Sequence, residues 1–136
     1  MSKKTLTIAI MDAPYENERT TTALRIVDAA LKKGHDVNVF AYEGAVYVAF
    51  AKQQPHPNAV HGRDVAQEDH PLTHKWVDAL HEAATEHGAK LEWINCGMCV
   101  DERGAVETLP WIKRGSPADL WKWVEGSDNS LVIGTR

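Results

Sequence analysis

Only two of the 136 residues are cysteine. That is too few for a disulfide framework, and at three residues apart a structural bridge is a poor explanation for them in a cytosolic chain. No run approaches the ~18 consecutive apolar residues that a membrane helix requires. The apolar-biased stretch after Met1-Ser2-Lys3-Lys4 is cut at Asp12, too early for a secretory h-region with a cleavage site. A cytoplasmic protein without a membrane segment is the expectation. Basic excess is missing too: the formal net charge is −4, and no cluster of Lys and Arg interleaved with aromatics points to nucleic acid. A phosphate-cradling Gly-rich loop and a G-x-S-x-G elbow are both absent. No cofactor, FMN included, is therefore expected. Without repeats, linkers or low-complexity stretches, residues 1–136 read as a single domain. Hydrophobic residues make up 43% of the chain, ordinary for a globular domain of this size.

What is present is an alternation of strand and helix patterns. Thr5 to Met11 is β-branched and apolar and stops at Asp12-Ala13-Pro14-Tyr15. Ala23, Leu24, Ile26, Val27, Ala30 and Leu31 recur at helical spacing, with a cap expected at Asn17 or within Thr20–Thr22 and Gly34 as the stop. Val37 to Ala41 is a second strand, which completes a βαβ unit. Ala45 to Lys52 reads as a short helix. Gln53 to Thr73 is a long polar segment with Pro55, Pro57 and Pro71 and the histidines His56, His61 and His70, with His74 at its edge. Thr73 is positioned to cap a helix over His74–His87. Lys90 to Ile94 is a third strand and runs into the cysteines. A short helix or loop follows Gly104, then a turn or strand at Trp111–Gly115. Ser116-Pro117-Ala118-Asp119 is a strong helix start, and Leu131–Gly134 is a final strand. The order predicts an α/β fold: a small open sheet, mostly parallel, of about five strands with helices on both faces. In such sheets ligands bind outside the carboxyl ends of strands, at a switch point of strand order. Asp12–Tyr15, Tyr42–Gly44 and Asn95–Cys99 all follow strands and should share that edge.

Cys96 and Cys99 stand in Asn95-Cys96-Gly97-Met98-Cys99-Val100-Asp101-Glu102-Arg103-Gly104. A thiol reacts as thiolate, and its pKa must usually be lowered for work at neutral pH. Arg103 would lie near Cys99 if the loop turns into a helix, and backbone N–H groups at such a turn favour an anion. Asp101 and Glu102 oppose that. Four readings compete: a buried structural pair, a dithiol–disulfide switch, half of a metal site, and covalent sulfur handling by thiol exchange. A metal would need further ligands, and the histidines of the polar segment are the available source; no metal site is assigned. Tyr15, Tyr42 and Glu43 should sit on the same edge. The tyrosines would line a pocket there or serve packing, and Glu43 is the carboxylate placed to take a proton from a thiol.

Several segments in order carry a resemblance over nearly the whole chain. They are Ala13-Pro14-Tyr15, Ala29-Ala30-Leu31-Lys32-Lys33-Gly34-His35-Asp36-Val37, Tyr42-Glu43-Gly44-Ala45-Val46, Cys96 to Gly104, Gly115-Ser116-Pro117-Ala118-Asp119-Leu120, and Ser127-Asp128. Together they resemble the DsrE/DsrF-like family, which includes the TusD-type sulfur-relay subunits. The resemblance implies a flavodoxin-like sheet and a cysteine in a Cys-Val…Arg-Gly segment that carries sulfane sulfur as a persulfide. Cys99, with Val100 and Arg103-Gly104, matches that cysteine. The spacing to Arg-Gly is shorter here than in the relay subunits, and Cys96 is added upstream. Read this way, Cys99 is the carrier, Cys96 assists, and Arg103 and the loop amides stabilise the anionic sulfur. Sulfur donor and acceptor proteins are implied as partners, and so is a homo-oligomer, trimer or hexamer, with Trp111, Trp121 and Ala45–Phe50 as candidate contacts. The alternative is a non-catalytic oligomeric binding module whose thiols are redox-sensitive or structural.

Overall fold

A computed structural model describes residues 2–134. Strands β1 (Thr5–Ile10), β2 (Asp36–Ala41), β3 (Leu91–Cys96), β4 (Lys113–Gly115) and β5 (Asn129–Ile133) form one sheet in the order β4-β3-β2-β1-β5. Every pairing is parallel. Ile8 pairs with Val39 on one side and Leu131 on the other, and Val39 in turn pairs with Trp93. Successive connections step from β1 through β2 and β3 to β4, and the last returns across the sheet to β5.

Alternation along the strands divides the core. Ile8, Ile10, Val37, Val39, Leu91 and Trp93 face helices α1 (Arg19–Lys32) and α3 (Thr73–Glu86), which contribute Ala23, Leu24, Val27 and Leu31, and Val77, Leu80 and Ala84. The opposite face is thinner. There Phe40, Ile94 and Cys96 meet Leu120 and Trp123 of α5 (Pro117–Gly126). Burying these side chains stabilises by about 1.5–3 kcal/mol each. The α5 start is fixed as its sequence predicts: Ser116 Oγ accepts from the Ala118 N–H at 3.3 Å, and Asp119 Oδ2 accepts from the Ser116 N–H at 2.8 Å. Gly34 takes φ +81° and Gly88 φ +70°, the left-handed conformation in which glycine ends α1 and α3.

Local details differ from expectation. Ala45–Lys52 is not a regular helix. A 3-10 turn covers Glu43–Tyr47, and Phe50 then bridges Thr108 in the antiparallel sense. Ala45, Val46, Val48 and Ala49 are fully buried, which explains an apolar run that fits neither pattern. Thr73 lies inside the first turn of α3 rather than capping it, and its buried hydroxyl donates to the Val48 carbonyl at 2.8 Å. At α1 the cap position falls to Glu18, which makes no side-chain capping bond; Asn17 lies one residue before it, its side-chain oxygen accepting from the Arg19 N–H at 2.7 Å, and Thr20–Thr22 lie inside the helix. The polar segment contains a 3-10 turn, Ala59–His61, and a short helix α2 (Val65–Glu68), closed by an Asp64–Gln67 capping box. No described helix is long and apolar enough to cross a membrane.

Candidate functional site

Because all strands are parallel, the segments after β1, β2 and β3 emerge at one edge of the sheet. Strand order decides which of them meet. β3 lies beside β2, so the segment after β2 reaches the cysteines. The point where strand order turns back lies between β1 and β5, two strands from the cysteines.

Cys96 is the last residue of β3 and the N-cap of α4 (Gly97–Arg103), and Cys99 sits on the first turn of that helix. The loop therefore does turn into a helix, and Gly104 ends it at φ +64°. Both thiols are free. Cys96 is 7% exposed and packs with Phe40 and Ile94, while half-buried Cys99 touches that cluster and a second one formed by Val46, Val100 and Ala105.

Burial pushes the Cys99 thiol above its ordinary pKa; the Glu43 backbone N–H directed at the sulfur pulls it down, the Cys96 thiol pushes it up, and the Arg103 guanidinium pulls it down. The net direction is up. The cation expected from the sequence is at work, but the amide comes from Glu43 after β2 and not from the turn into α4, and desolvation outweighs both. Arg103 also approaches the Cys99 carbonyl (3.5 Å) and the Glu102 carboxylate (3.8 Å).

Glu43 is close to the thiol through its backbone. It holds φ +50°, and its side chain is exposed. Tyr42 packs with Phe40, Cys96 and Cys99, and its hydroxyl donates to Met11 Sδ at 3.8 Å. Burial, Glu43 and Asp12 all raise the Tyr42 pKa, so the phenol is neutral. Tyr15 goes elsewhere. Its hydroxyl donates to the Pro71 carbonyl (2.6 Å) and accepts from the Thr73 N–H (3.0 Å), and its ring lies 4.4 Å from that of His70. His56 stacks near His70 and His74 meets the Phe50 carbonyl, so these histidines pack around Tyr15 and α3. Among the described residues, no group of three or more His, Cys, Asp or Glu is arranged to hold a metal.

The sequence did not single out Arg114. Its guanidinium grips the Asp101 carboxylate with both nitrogens, at 3.0 and 2.8 Å, and donates to the Gly97 carbonyl at 3.0 Å. It straps the cysteine helix to β4, and it lies near enough to Cys96 for the two to interact electrostatically. A Cβ on Gly97 would stand 3.1 Å from that guanidinium. Asp101 is consequently not a free anion beside the thiols: the hydrogen bond from Arg114 holds its carboxyl below the usual range. The signal, an Arg in the stretch Trp111–Gly115 that the sequence reads only as a turn or strand, carries no spacing that would reveal the partner. Asn95 was also missed. It is buried and accepts from Trp93 Nε1 at 3.1 Å, and its Nδ2 has no partner among the described residues. A groove of about 540 Å³ runs along the outer side of β3, lined by His81, Trp93, Trp111, Arg114 and Trp123, with neither cysteine in its wall.

The Ala45–Phe50 segment is largely core. Trp111 stacks on His81 at 3.8 Å and donates to Asp78, whereas Trp121 is 62% exposed.

Similar proteins agree with this architecture. An uncharacterized protein of Methanocaldococcus jannaschii is 34% identical over 131 residues, covering 93% of this chain and 97% of its own length. One from Methanopyrus kandleri is 31% identical over 132 residues, covering 94% and 93%. The crystal structure of the ychN protein from E. coli superposes with a TM-score of 0.74 at 19% identity, over 96% of this chain and 99% of that one. A conserved protein of unknown function from Bacteroides thetaiotaomicron gives 0.54 at 10% identity, over 93% and 94%. These structures share the fold. The profile of one family matches residues 4–132, and on that match the chain belongs to the DsrE/DsrF-like family.

Proposed function

We propose that this protein is a sulfur carrier: Cys99 accepts sulfane sulfur as a persulfide and passes it to a partner protein. Family membership supports sulfur-relay chemistry in general. The observation that carries the assignment to Cys99 is its setting, a half-buried thiol on the first turn of α4 with the Glu43 N–H and the Arg103 cation acting on its sulfur. A donor persulfide R–S–SH transfers its outer sulfur to the Cys99 thiolate and leaves as R–SH, and the same exchange run towards an acceptor thiol unloads the site. Because burial holds Cys99 protonated, loading quickens as pH rises beyond the ordinary thiol range.

Loading the reduced protein with polysulfide and weighing it intact tests the assignment. With Cys96 replaced by Ser, so that no onward reaction between the two cysteines is open, the protein should gain the mass of one sulfur, and adding Cys99→Ser should abolish that gain. Equal loading of the two would remove Cys99 from the role.

The raised pKa favours a second reading, a non-catalytic binding module with redox-sensitive or structural thiols; it predicts no sulfur uptake by either protein. We also propose self-association as a trimer or hexamer through the face around exposed Trp121, expected to weaken in Trp121→Ala on sedimentation. A monomeric wild type would refute it.

A further inference from the structure

We propose that the site is also a self-contained reductive release centre, in which Cys96 discharges the Cys99 persulfide as hydrogen sulfide and closes a Cys96–Cys99 disulfide. This rests on the persulfide reading of Cys99 and adds a second activity to it. The Cys96 Sγ–Cys99 Sγ bond forms while the bond from Cys99 Sγ to the sulfane sulfur breaks. The bonding pair leaves on the sulfane sulfur as hydrosulfide, which takes up the proton that Cys96 gave up. The sulfane sulfur is reduced to sulfide, and the two cysteine sulfurs are oxidised to the disulfide. An external dithiol then restores both thiols for another turnover.

The geometry suits this step. Residues three apart at a helix start have Cβ atoms roughly 5–6 Å apart, and a disulfide requires about 3.5–4.5 Å. Cys96 occupies the N-cap with extended backbone (φ −61°, ψ 118°), one residue ahead of the helical turn that carries Cys99, so a small side-chain rotation closes the gap. The thiols already share one apolar cluster and interact.

Exposure divides the roles. The half-buried Cys99 is reachable by a donor, whereas Cys96, 7% exposed beneath Tyr42, Ile94 and Cys99, is screened from a bulky donor but not from its neighbour. Arg114 places a cation near Cys96, moderated by its pairing with Asp101, where a thiolate must form to attack.

Leaving-group chemistry selects the sulfur attacked. Attack on the outer sulfur would expel the Cys99 thiolate, whose burial makes it a strong base and a poor leaving group. Attack on the inner sulfur expels hydrosulfide, the anion of a stronger acid. Transfer to the outer sulfur only moves the persulfide between the two cysteines and returns it, so the irreversible exit is the disulfide.

The test uses the reduced full-length protein, one equivalent of inorganic polysulfide, rapid desalting, and then a time course of sulfide in solution and of intact mass. In the wild type we expect sulfide in amounts matching the loaded sulfur and a final mass two hydrogens below the dithiol form, restored by dithiothreitol. Cys96→Ser and the apolar Cys96→Ala, each checked for native Tm, should keep the added sulfur on Cys99 and release no sulfide. A wild type that holds its adduct as long as these variants overturns the release step and leaves the carrier role standing. Failure of Cys99 to load in every protein overturns both. Sulfide release at the wild-type rate in Cys99→Ser would also overturn it.

Discussion

Gly44 provides a stringent test of how the site is held. It follows Glu43, whose N–H meets the Cys99 sulfur, and it lies against the segment after β1. A Cβ added there would stand 2.9 Å from Ala13 Cβ and 3.0 Å from the Ala13 backbone nitrogen. Neither neighbour is the free end of a flexible side chain, so the two segments must separate. Gly44 does not take a positive φ, which leaves steric overlap as the whole perturbation. Overpacking of this kind costs about 1–3 kcal/mol. The reduced freedom of the unfolded chain returns about 0.4–1 kcal/mol. The net loss for Gly44→Ala is therefore about 1.3 kcal/mol at the midpoints, within about 0–2.6 kcal/mol. With an unfolding entropy of about 2.1 cal/mol/K per residue over 136 residues, Tm falls by about 4–5 °C at the midpoint and by at most about 9 °C. Displacing Glu43 weakens a contact that lowers the Cys99 pKa, so that pKa climbs further and alkylation of Cys99 at a fixed alkaline pH slows. Calorimetry together with iodoacetamide kinetics in a Cys96→Ser background reads both effects. Gly126→Ala, with open space around the added methyl, is the control and should not lose stability. A Gly44→Ala protein as stable as its parent, with unchanged alkylation, would refute the proposed coupling between the segments.

Other consequences follow from the same contacts. Glu43→Gln should leave the pH profile of Cys99 alkylation where it is, because the backbone N–H and not the carboxylate meets the sulfur; a marked slowing would assign the carboxylate a proton-transfer role. Glu43→Gly removes a left-handed backbone cost of roughly 1–2 kcal/mol, offset in part by about 0.5–1 kcal/mol of added chain entropy, so chemical denaturation should show equal or slightly higher stability. In Arg114→Gln the Asp101 carboxyl should return upward to the ordinary range in an NMR titration. The sign follows from its depressed folded-state pKa: whatever stability the pair contributes is present above the unfolded value near ~3.9 and lost as pH falls through the folded one, so the variant should lose less than the wild type on acidification. Ser116→Ala deletes the α5 cap at a cost of about 1 kcal/mol, or about 3 °C in Tm.

Much of the sheet could be read from local pattern because the helices and strands have clean periods. Ile8, Val39 and Trp93 alternate with residues of the other face, and Ala23, Leu24, Val27 and Leu31 keep one helical stripe. Ser116 and Asp119 announced a helix start that formed with both bonds. Ala45–Ala49 misled because a segment buried on every side has no period at all. For the site, Cys96, Cys99, Tyr42, Glu43 and Arg103 come together as expected, but their working atoms were not legible. Glu43 contributes an N–H rather than a carboxylate, a distinction set by its φ of +50° and not by its side chain. Tyr15 and Tyr42 looked equivalent, each after a strand. Strand order separates them, since β2 lies beside β3 and β1 does not, and strand order is a property of the packed sheet. Arg114 was invisible for a related reason: its grip on Asp101 spans an intervening loop and depends on β4 pairing with the end of β3, where Asn95 meets Arg114.

The raised pKa of Cys99 works against the capture of sulfur, but carriage and capture make opposite demands. A thiol kept protonated by burial is slow to attack and slow to be oxidised, which protects the empty site. Once a sulfur is added, the charge moves one atom outward, away from the apolar contacts with Val46 and Val100 that penalise it. A persulfide is also a stronger acid than its parent thiol, so at a given pH a larger fraction of the loaded form is ionised than of the empty form. The Glu43 N–H and the Arg103 guanidinium, too weak to outweigh desolvation for the bare thiol, then act on an anion that is better solvated. The same surroundings therefore disfavour the empty thiolate and tolerate the loaded one.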